Sequence, residues 1–359
     1  MERIYNVGVI GCGQIAQIMH MPYINDSPML RLHSICDISK AALKGVSERF
    51  HIPAEHVYTD FNSMVQDTDI DIVLVCCRDH YAPAMAAISA GKHVYIEKPL
   101  AFNLRQADDI INNAHAHGVK TIVGYMKFYD PAYKYFQKKI KGILEHVSYA
   151  RVHDYAGSFD FTNTIYDLFP AVDLTDEIKK RASEEEDKAL LEQIGEERRH
   201  LIRAYSRILG LSSHDTILMR NIFGDDYSVP YATVDGNNYL TAMLDFGRFK
   251  CAFESAFVTN RRSWDETFQV YSPELNARLE FPWPYQKNAP AKVHLNENEE
   301  GTMINVDKTV VSSFEEAYRC EWQHFIDCII NDKTPDTCAE EARKDIEFAD
   351  RVIKAVKID

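Results

Sequence analysis

An apolar, β-rich run from Ile4 to Ile10 leads directly into Gly11-Cys12-Gly13-Gln14-Ile15-Ala16, and a helical stretch follows. Few short patterns restrict a fold this tightly. Gly11 permits a tight turn, Gly13 lets the backbone approach a diphosphate, and the small Ala16 lets helix and strand pack closely. The phosphates would sit over the helix N-terminus, whose unpaired N–H groups favour an anion. Gly11, Cys12, Gly13, Gln14 and Ile15 are therefore candidate dinucleotide-binding residues. A second strand, Leu30 to Cys36, ends at Asp37. That acid stands at about the 20-residue distance at which a carboxylate binds the adenosine ribose hydroxyls. A carboxylate repels a 2′-phosphate, so Asp37, followed by Ile38-Ser39, predicts NAD over NADP.

The alternation continues. A short strand near Val57, an apolar run from Ile70 to Cys77, a helix from Tyr81 to Ala90 and a strand from Val94 to Ile96 come next, then a helix from Asn103 to His117 and a strand from Lys120 to Val123. Repeated strand–helix units predict a parallel, doubly wound sheet. Cys77, Arg78 and His80 fall at a strand end, where such sheets bind ligands. His80 either lines the cleft on the nicotinamide side or caps the next helix. His115 and His117 read as structural.

The stretch Gly91-Lys92-His93-Val94-Tyr95-Ile96-Glu97-Lys98-Pro99-Leu100 puts an ammonium at the carboxyl end of a strand. Pro99 has no backbone N–H and disfavours a helical conformation at Lys98, so pairing stops there. An ammonium so held could stabilise an alkoxide or assist proton transfer at a substrate hydroxyl. A surface lysine at a turn is the plainer alternative.

Composition narrows the function classes. The 359 residues suffice for two domains. Asp and Glu number 54 against 40 Lys and Arg, and the net charge of -14 argues against nucleic acid as a general partner. Residues 1–6 lack a signal-peptide pattern and no apolar run is long enough to span a bilayer, so a cytoplasmic protein without a membrane partner is expected. The cysteines are scattered with no C-x-x-C pair, which predicts reduced thiols and no metal site.

With these motifs in register, the chain resembles the glucose–fructose oxidoreductase / inositol dehydrogenase / MocA (Gfo/Idh/MocA) superfamily. The stretches that carry the resemblance are Val9 to Ala16, Ala90 to Ala101, Val123 to Pro131, and Asn331 to Pro335 with Glu340-Glu341-Ala342. It covers nearly the whole chain except one insertion. The resemblance implies an α/β Rossmann domain followed by an α+β domain with a large, mostly antiparallel sheet. Here these would be 1–126 and 127–359, with a helical insertion at about 160–209 and C-terminal helices in 314–359. It also implies a sugar or cyclitol substrate, with Lys98 near the reacting hydroxyl, Glu97 and Tyr125 beside the cofactor, and Tyr125 and Lys127 among the substrate contacts. Phe128 stands where relatives often carry an arginine three residues before the proline, which leaves Lys127 as the neighbouring cation.

Val147 to Tyr155 alternates as the first strand of the second sheet. In the acidic insertion, Leu191, Ile194, Leu201, Tyr205 and Ile208 recur at helical spacing, with Glu184 to Asp187 and Glu196 to Arg199 on the polar side. This reads as a hairpin packed by its apolar stripe, or as an arm over the active site or a neighbouring subunit. The segment Gly210 to Arg220 then resembles the family's D-x-G-x-H segment. It retains the histidine, His214, but has Gly210 in place of the aspartate. An imidazole can take a proton in oxidation and return it in reduction; a helix cap is the alternative role. Asp154 is a candidate for the missing acid.

Strands at Tyr231 to Val234, Leu240 to Phe246, Cys251 to Val258, Thr267 to Ser272 and Arg278 to Phe281 follow, with turns at Asp235-Gly236-Asn237 and Phe246-Gly247-Arg248. Arg261 to Trp264 lies just past a strand end, where Trp264 would line a sugar pocket or belong to a turn or subunit contact. A broad sheet needs both faces covered, often by a second copy, so a homo-oligomer is expected.

The function these features predict is an NAD-dependent oxidoreductase interconverting a ring hydroxyl and ketone of a sugar, glycoside or cyclitol, with glycoside 3-oxidation to a 3-keto sugar as one form. His214 would exchange the hydroxyl proton while Lys98 stabilises the oxyanion. Two alternatives are glycoside cleavage through transient C3 oxidation and elimination, and a non-enzymatic dinucleotide-binding sensor. Retention of both Lys98 and His214 argues against the sensor.

Overall fold

Six strands alternate with helices in the first third of the chain: β1 (Tyr5–Ile10), β2 (Leu30–Cys36), β3 (Val57–Tyr58), β4 (Ile72–Val75), β5 (His93–Glu97) and β6 (Thr121–Gly124). They form one sheet in the order β3-β2-β1-β4-β5-β6, with every neighbouring pair parallel. The near-continuous apolar character of β1, β4 and β5 follows from burial on both faces; Val7, Val9, Ile72 to Val75 and Val94 to Ile96 are all fully buried. Strand order reverses between β1 and β4, the switch point beyond whose carboxyl ends open α/β sheets bind ligands. The structure is a computed structural model that describes residues 3–260, 262–299 and 301–357. Arg261, at the start of the expected pocket segment, lies outside them.

Contacts group the chain into two units that do not follow its order. The first contains Met1–Gly124, Asp160–Gln193 and Trp322–Ile346, and the second Tyr125–Phe159, Ile194–Glu321 and Glu347–Asp359. The insertion is thus divided, with the part before Ile194 packed on the parallel-sheet unit. Its apolar stripe is buried as the periodicity predicts: Leu191, Ile194, Leu201, Tyr205 and Ile208 are each less than a tenth exposed. In the first unit, Thr337 closes the edge of the sheet. Val123 N donates to Thr337 O at 2.8 Å and Thr337 Oγ1 donates to Val123 O at 2.9 Å, which hides backbone groups that an edge strand would otherwise present.

The second unit is built on β7 (Tyr149–Ala156), β8 (Ser228–Val234), β9 (Leu240–Asp245), β10 (Lys250–Phe257), β11 (Trp264–Tyr271), β12 (Leu275–Glu280), β13 (Lys292–Asn298) and β14 (Asn305–Val310). Their order is β14-β13-β12-β11-β7-β10-β9-β8. Hairpin-linked neighbours run antiparallel, whereas β7 and β10, separated by helices and two strands in the chain, pair in parallel. Helices Pro131–Lys141, Ile202–Gly210 and Ser213–Phe223 pack on this sheet. β13 and β14 lie beyond the strands expected from the sequence. No helix among the described residues is long and apolar enough to cross a membrane.

Candidate active site

The glycine turn sits where β1 ends. Gly11 has φ +96°, and a Cβ there would lie 2.5 Å from Cys77 N, so only glycine lets the ends of β1 and β4 come together. A Cβ on Gly13 would meet nothing within 4 Å. The space above Gly13 is therefore an open cradle of the kind a diphosphate fills. Ile15 precedes a π-helical turn, Ala16–His20, that continues into the helix Met21–Asp26. Asp37 closes the turn from the side: its carboxylate accepts from Cys12 N and from Ser39 N, each at 2.8 Å. Lone pairs remain on both oxygens for ribose hydroxyls. These residues fit a dinucleotide: Gly11 to Ile15 would hold the diphosphate and Asp37 the adenosine ribose.

The neighbouring strand ends carry the other expected residues. Cys77 lies half-buried after β4, its thiol pushed up to about 12 by burial and then by Asp79. Arg78 forms an ion pair with Glu186 of the insertion. His80 makes no side-chain cap bond; its Nδ1 is 2.6 Å from Pro99 O, and burial lowers its pKa, which keeps the ring neutral and held at the Pro99 carbonyl, next to the Lys98–Pro99 peptide. That peptide is cis.

Glu97 is more enclosed than its expected place beside the cofactor suggests. Its carboxylate is 2.8 Å from His20 Nε2 and accepts from Lys98 N at 3.0 Å. Trp322 Nε1, a donor only, lies 3.1 Å from His20 Nδ1. His20 Nδ1 must therefore accept, and Nε2 carries the proton given to Glu97. Burial would raise Glu97, but the His20 hydrogen bond, with Lys98 and His80 nearby, holds it below its ordinary value. The ionised Glu97 anchors the backbone on which half-buried Lys98 stands. His20 and Trp322, 302 positions apart, had no signal in the sequence.

In the second unit, another set converges on the inner face of the sheet. Glu266 of β11, Asp154 of β7 and Ser255 of β10 are direct partners across three adjacent strands. Cross-strand partners share a face, so two buried carboxyls stand side by side, an unfavourable pairing without compensation. Lys127, from the short helix Met126–Tyr129, supplies it through a buried ion pair with Glu266. Trp264 Nε1 donates to the other Glu266 oxygen at 3.2 Å, and Lys127 Nζ lies 5.8 Å from the Trp264 ring centre. Burial would depress Lys127, but Glu266, Asp215 and Asp154 outweigh it and raise its pKa.

Asp215 completes the cluster. The carboxyls of Asp154, Asp215 and Glu266 present oxygens within 4.8 Å of one another. Burial first, then Glu266, pushes Asp154 up to about 7; burial, then Glu266 and Asp154, pushes Asp215 well above the carboxylate range. Burial beside two other carboxyls thus favours the protonated form of Asp215. Ser212 Oγ lies 3.1 Å from Asp154 Oδ2 and 2.6 Å from Ser255 Oγ. His214, between Ser212 and Asp215 in sequence and 8% exposed, meets the Tyr125 ring edge-on at 6.1 Å. Of the residues expected here, Tyr125, Lys127, Asp154, His214 and Trp264 all belong to this unit. Phe128 packs against Tyr129 and Tyr133 in its core. Glu266 and Asp215 were not among the residues expected here.

Comparison with known proteins bears on the first unit most directly. Residues 5–125 match the family described as "Oxidoreductase family, NAD-binding Rossmann fold". The N-terminal domain belongs to the Gfo/Idh/MocA oxidoreductase family. Within that family, the inositol 2-dehydrogenase of Paracoccus denitrificans is 33% identical over 138 residues, 37% of this chain and 40% of the relative. The chain spans about two fifths of the length of the curated relatives it matches. Solved structures extend the fold over the full chain. An aldose–aldose oxidoreductase from Caulobacter crescentus has TM-score 0.74 at 17% identity, covering 98% of this chain and 97% of that one. A 3-ketoreductase from Actinomadura kijaniata, in complex with NADP and TDP-benzene, has TM-score 0.74 at 14% identity, covering 99% and 98%. Over both sheets the likeness to these structures is one of fold.

Proposed function

We propose that this chain is an NAD-dependent oxidoreductase that interconverts a ring hydroxyl and ketone of a sugar, glycoside or cyclitol. The observation that carries the reading is the lysine at the carboxyl end of β5, Lys98, anchored through Glu97 at the same sheet edge as the open cradle over Gly13. When bound, a nicotinamide supplies a hydride acceptor or donor. Lys98 stabilises the developing oxyanion, since a fixed cation costs no reorganisation as charge forms. His214 takes the hydroxyl proton in oxidation and returns it in reduction. Asp154, grouped with the Asp215 that follows His214 in the chain, takes the place of the acid absent at Gly210. Trp264, Tyr125 and Lys127 contact the sugar, an aromatic ring suiting the apolar face of a pyranose. The roles of Lys98 and His214 are carried over from the family register. A cytoplasmic homo-oligomer, joined through the outer face of the second sheet where Tyr149 and Tyr271 are exposed, belongs to the same proposal.

The test is absorbance at 340 nm with NAD and a panel of hexoses, glycosides and inositols, with Lys98→Ala as control. A rise with one substrate, abolished by the substitution, supports the reading. No rise, but nucleotide released on denaturation, favours a retained cofactor and sugar-to-sugar exchange or glycoside elimination. No bound nucleotide under any condition contradicts it.

A further inference from the structure

The insertion does more than pack its apolar stripe. From Thr162 onward it follows the carboxyl edge of the parallel sheet, bonding in turn to residues that follow the ends of its strands. Thr162 Oγ1 accepts from the side-chain amide of Gln14, in the glycine turn itself. Phe169 is bonded through both backbone groups to Gln17: its N–H donates to Gln17 Oε1 at 2.9 Å and its carbonyl accepts from Gln17 Nε2 at 3.0 Å. Asp173 accepts from Ser39 Oγ and from Ala41 N, the latter at 3.2 Å. Farther along, Glu186 pairs with Arg78 and Ala189 O accepts from Asn103 Nδ2 at 3.0 Å. The segment thus crosses from the end of β1, over that of β2, to those of β4 and β5.

The Asp173 contact bears on which nucleotide can bind. Helix Lys40–Phe50 starts directly after Asp37, with Ser39 as its cap. Its first N–H groups are the natural partners for an anion, and they lie beside the carboxylate expected to hold the adenosine ribose. A 2′-phosphate on that ribose would need them. Ala42 N is taken by Ser39 Oγ at 3.1 Å, and Ala41 N with the Ser39 hydroxyl is taken by Asp173. A 2′-phosphate would therefore meet two carboxylates, Asp37 and Asp173, and donors already engaged. A ribose with a free hydroxyl needs only an acceptor, which Asp37 provides.

Phe169 fastens the strap to the same helix. Its ring lies against Gly45, where a Cβ would come within 2.1 Å of it, and Arg49 stacks on its face at 4.4 Å. Glycine inside a helix costs about 1 kcal/mol relative to alanine. Here it makes room for the ring.

We propose that residues 160–193 form a strap that completes the dinucleotide site, fastening the nucleotide at its adenosine end, with Asp173 as the residue that excludes a 2′-phosphate. The proposal rests on the NAD-binding reading and names residues that act in it. Asp173 and Phe169 are specificity and retention residues; neither touches the reacting atoms.

The test uses the full chain, titrated with NADH and with NADPH by nicotinamide fluorescence, and compares wild type with Asp173→Ala. Asp173 is exposed, so the substitution leaves the core alone. The expected result is a preference for NADH in wild type that narrows by about tenfold or more in the variant, through tighter NADPH binding. An unchanged ratio, with NADH still bound, overturns the role of Asp173. Stopped-flow displacement of NADH from Phe169→Ala and Gly45→Ala tests the strap, with dissociation expected to quicken by about fivefold or more in both. Gly45→Ala forces the ring away while favouring the helix, so faster release there cannot be assigned to a damaged helix. Unchanged release in both variants overturns the strap. If wild type binds neither nucleotide, the dinucleotide reading itself fails, and the strap falls with it.

Discussion

The His20 ring and the Glu97 carboxylate meet at 2.8 Å inside the parallel-sheet unit, and Trp322 fixes which nitrogen carries the proton. This pair holds the backbone of the lysine segment, because Glu97 also accepts from Lys98 N. His20→Ala should cost about 2–3 kcal/mol, the loss of a hydrogen bond to a buried charge. Glu97 lies below its unfolded pKa in the folded protein, so its stabilisation is present above about pH 4.3 and fades as pH falls further. Because His20 is what holds Glu97 down, the variant's deficit should be full near pH 7 and should narrow as pH falls through the acid limb. Urea midpoints between pH 4 and pH 7 check both effects, and an unchanged acid limb would show that Glu97 does not depend on His20.

Lys127 balances three buried carboxyls. Removing one partner of a buried pair leaves an uncompensated charge, at a cost of about 3–5 kcal/mol. Lys127→Met should lose stability on that scale, and Lys127→Met with Glu266→Gln should recover most of it. A double-mutant cycle in urea measures the coupling. Additive losses would mean that the two groups do not interact.

Asp154 gives a pH dependence of the opposite sign to Glu97. Its carboxyl is pushed up to about 7 in the folded protein, and ionises near 3.9 when unfolded. Between these values the folded state holds more protons, so this group's contribution is full below about pH 4 and is lost as pH rises towards 7. The groups around it are Glu266, Asp215, Lys127, Ser212 and the buried Arg207. Asp154→Asn should match wild type near pH 4 and gain on it as pH rises, by on the order of 2–4 kcal/mol at pH 8. A difference independent of pH would put the proton elsewhere.

The two glycines of the turn separate folding from binding. Gly11→Ala combines positive φ with a 2.5 Å clash and should cost about 1–3 kcal/mol or more. Gly13→Ala meets no protein atom within 4 Å, so its melting temperature should stay near wild type while nucleotide affinity falls by about tenfold or more. Calorimetric melting with and without NADH checks the contrast. Equal affinity in Gly13→Ala would mean that the open cradle is not where the diphosphate lies.

Where placement depends on local spacing, the sequence was legible. The glycine turn, Asp37 at the end of β2, Lys98 at the end of β5 and His214 on its helix all stand where their neighbours in the chain predict. The Asp154–Glu266 pairing was not readable, because it depends on the register between strands 112 residues apart. His20 and Trp322 are farther apart still. β13 and β14 escaped for a different reason: β14, at the end of the sheet, is polar and exposed at Asn305, Asp307 and Lys308, which blunts an edge, and β13 offers only Val293 and Leu295 as its apolar alternation, too short a run to mark a strand. In the insertion, the apolar stripe revealed the helices. The contacts of Thr162, Phe169 and Asp173 are polar or backbone-mediated, and periodicity is blind to both.

Hydride transfer at a ring carbon is the central claim, and isotope transfer tests it most directly. The full chain would be incubated with NAD and a sugar or cyclitol deuterated at its ring carbinol carbons, then denatured, and the released nucleotide examined by mass spectrometry. The expected result is reduced nucleotide one mass unit heavier in wild type and no such species in Lys98→Ala, whether or not the cofactor leaves between turnovers. Bound nucleotide that never acquires deuterium from any member of the panel would contradict a ring-hydroxyl oxidoreductase and favour a protein that binds the dinucleotide without reacting it.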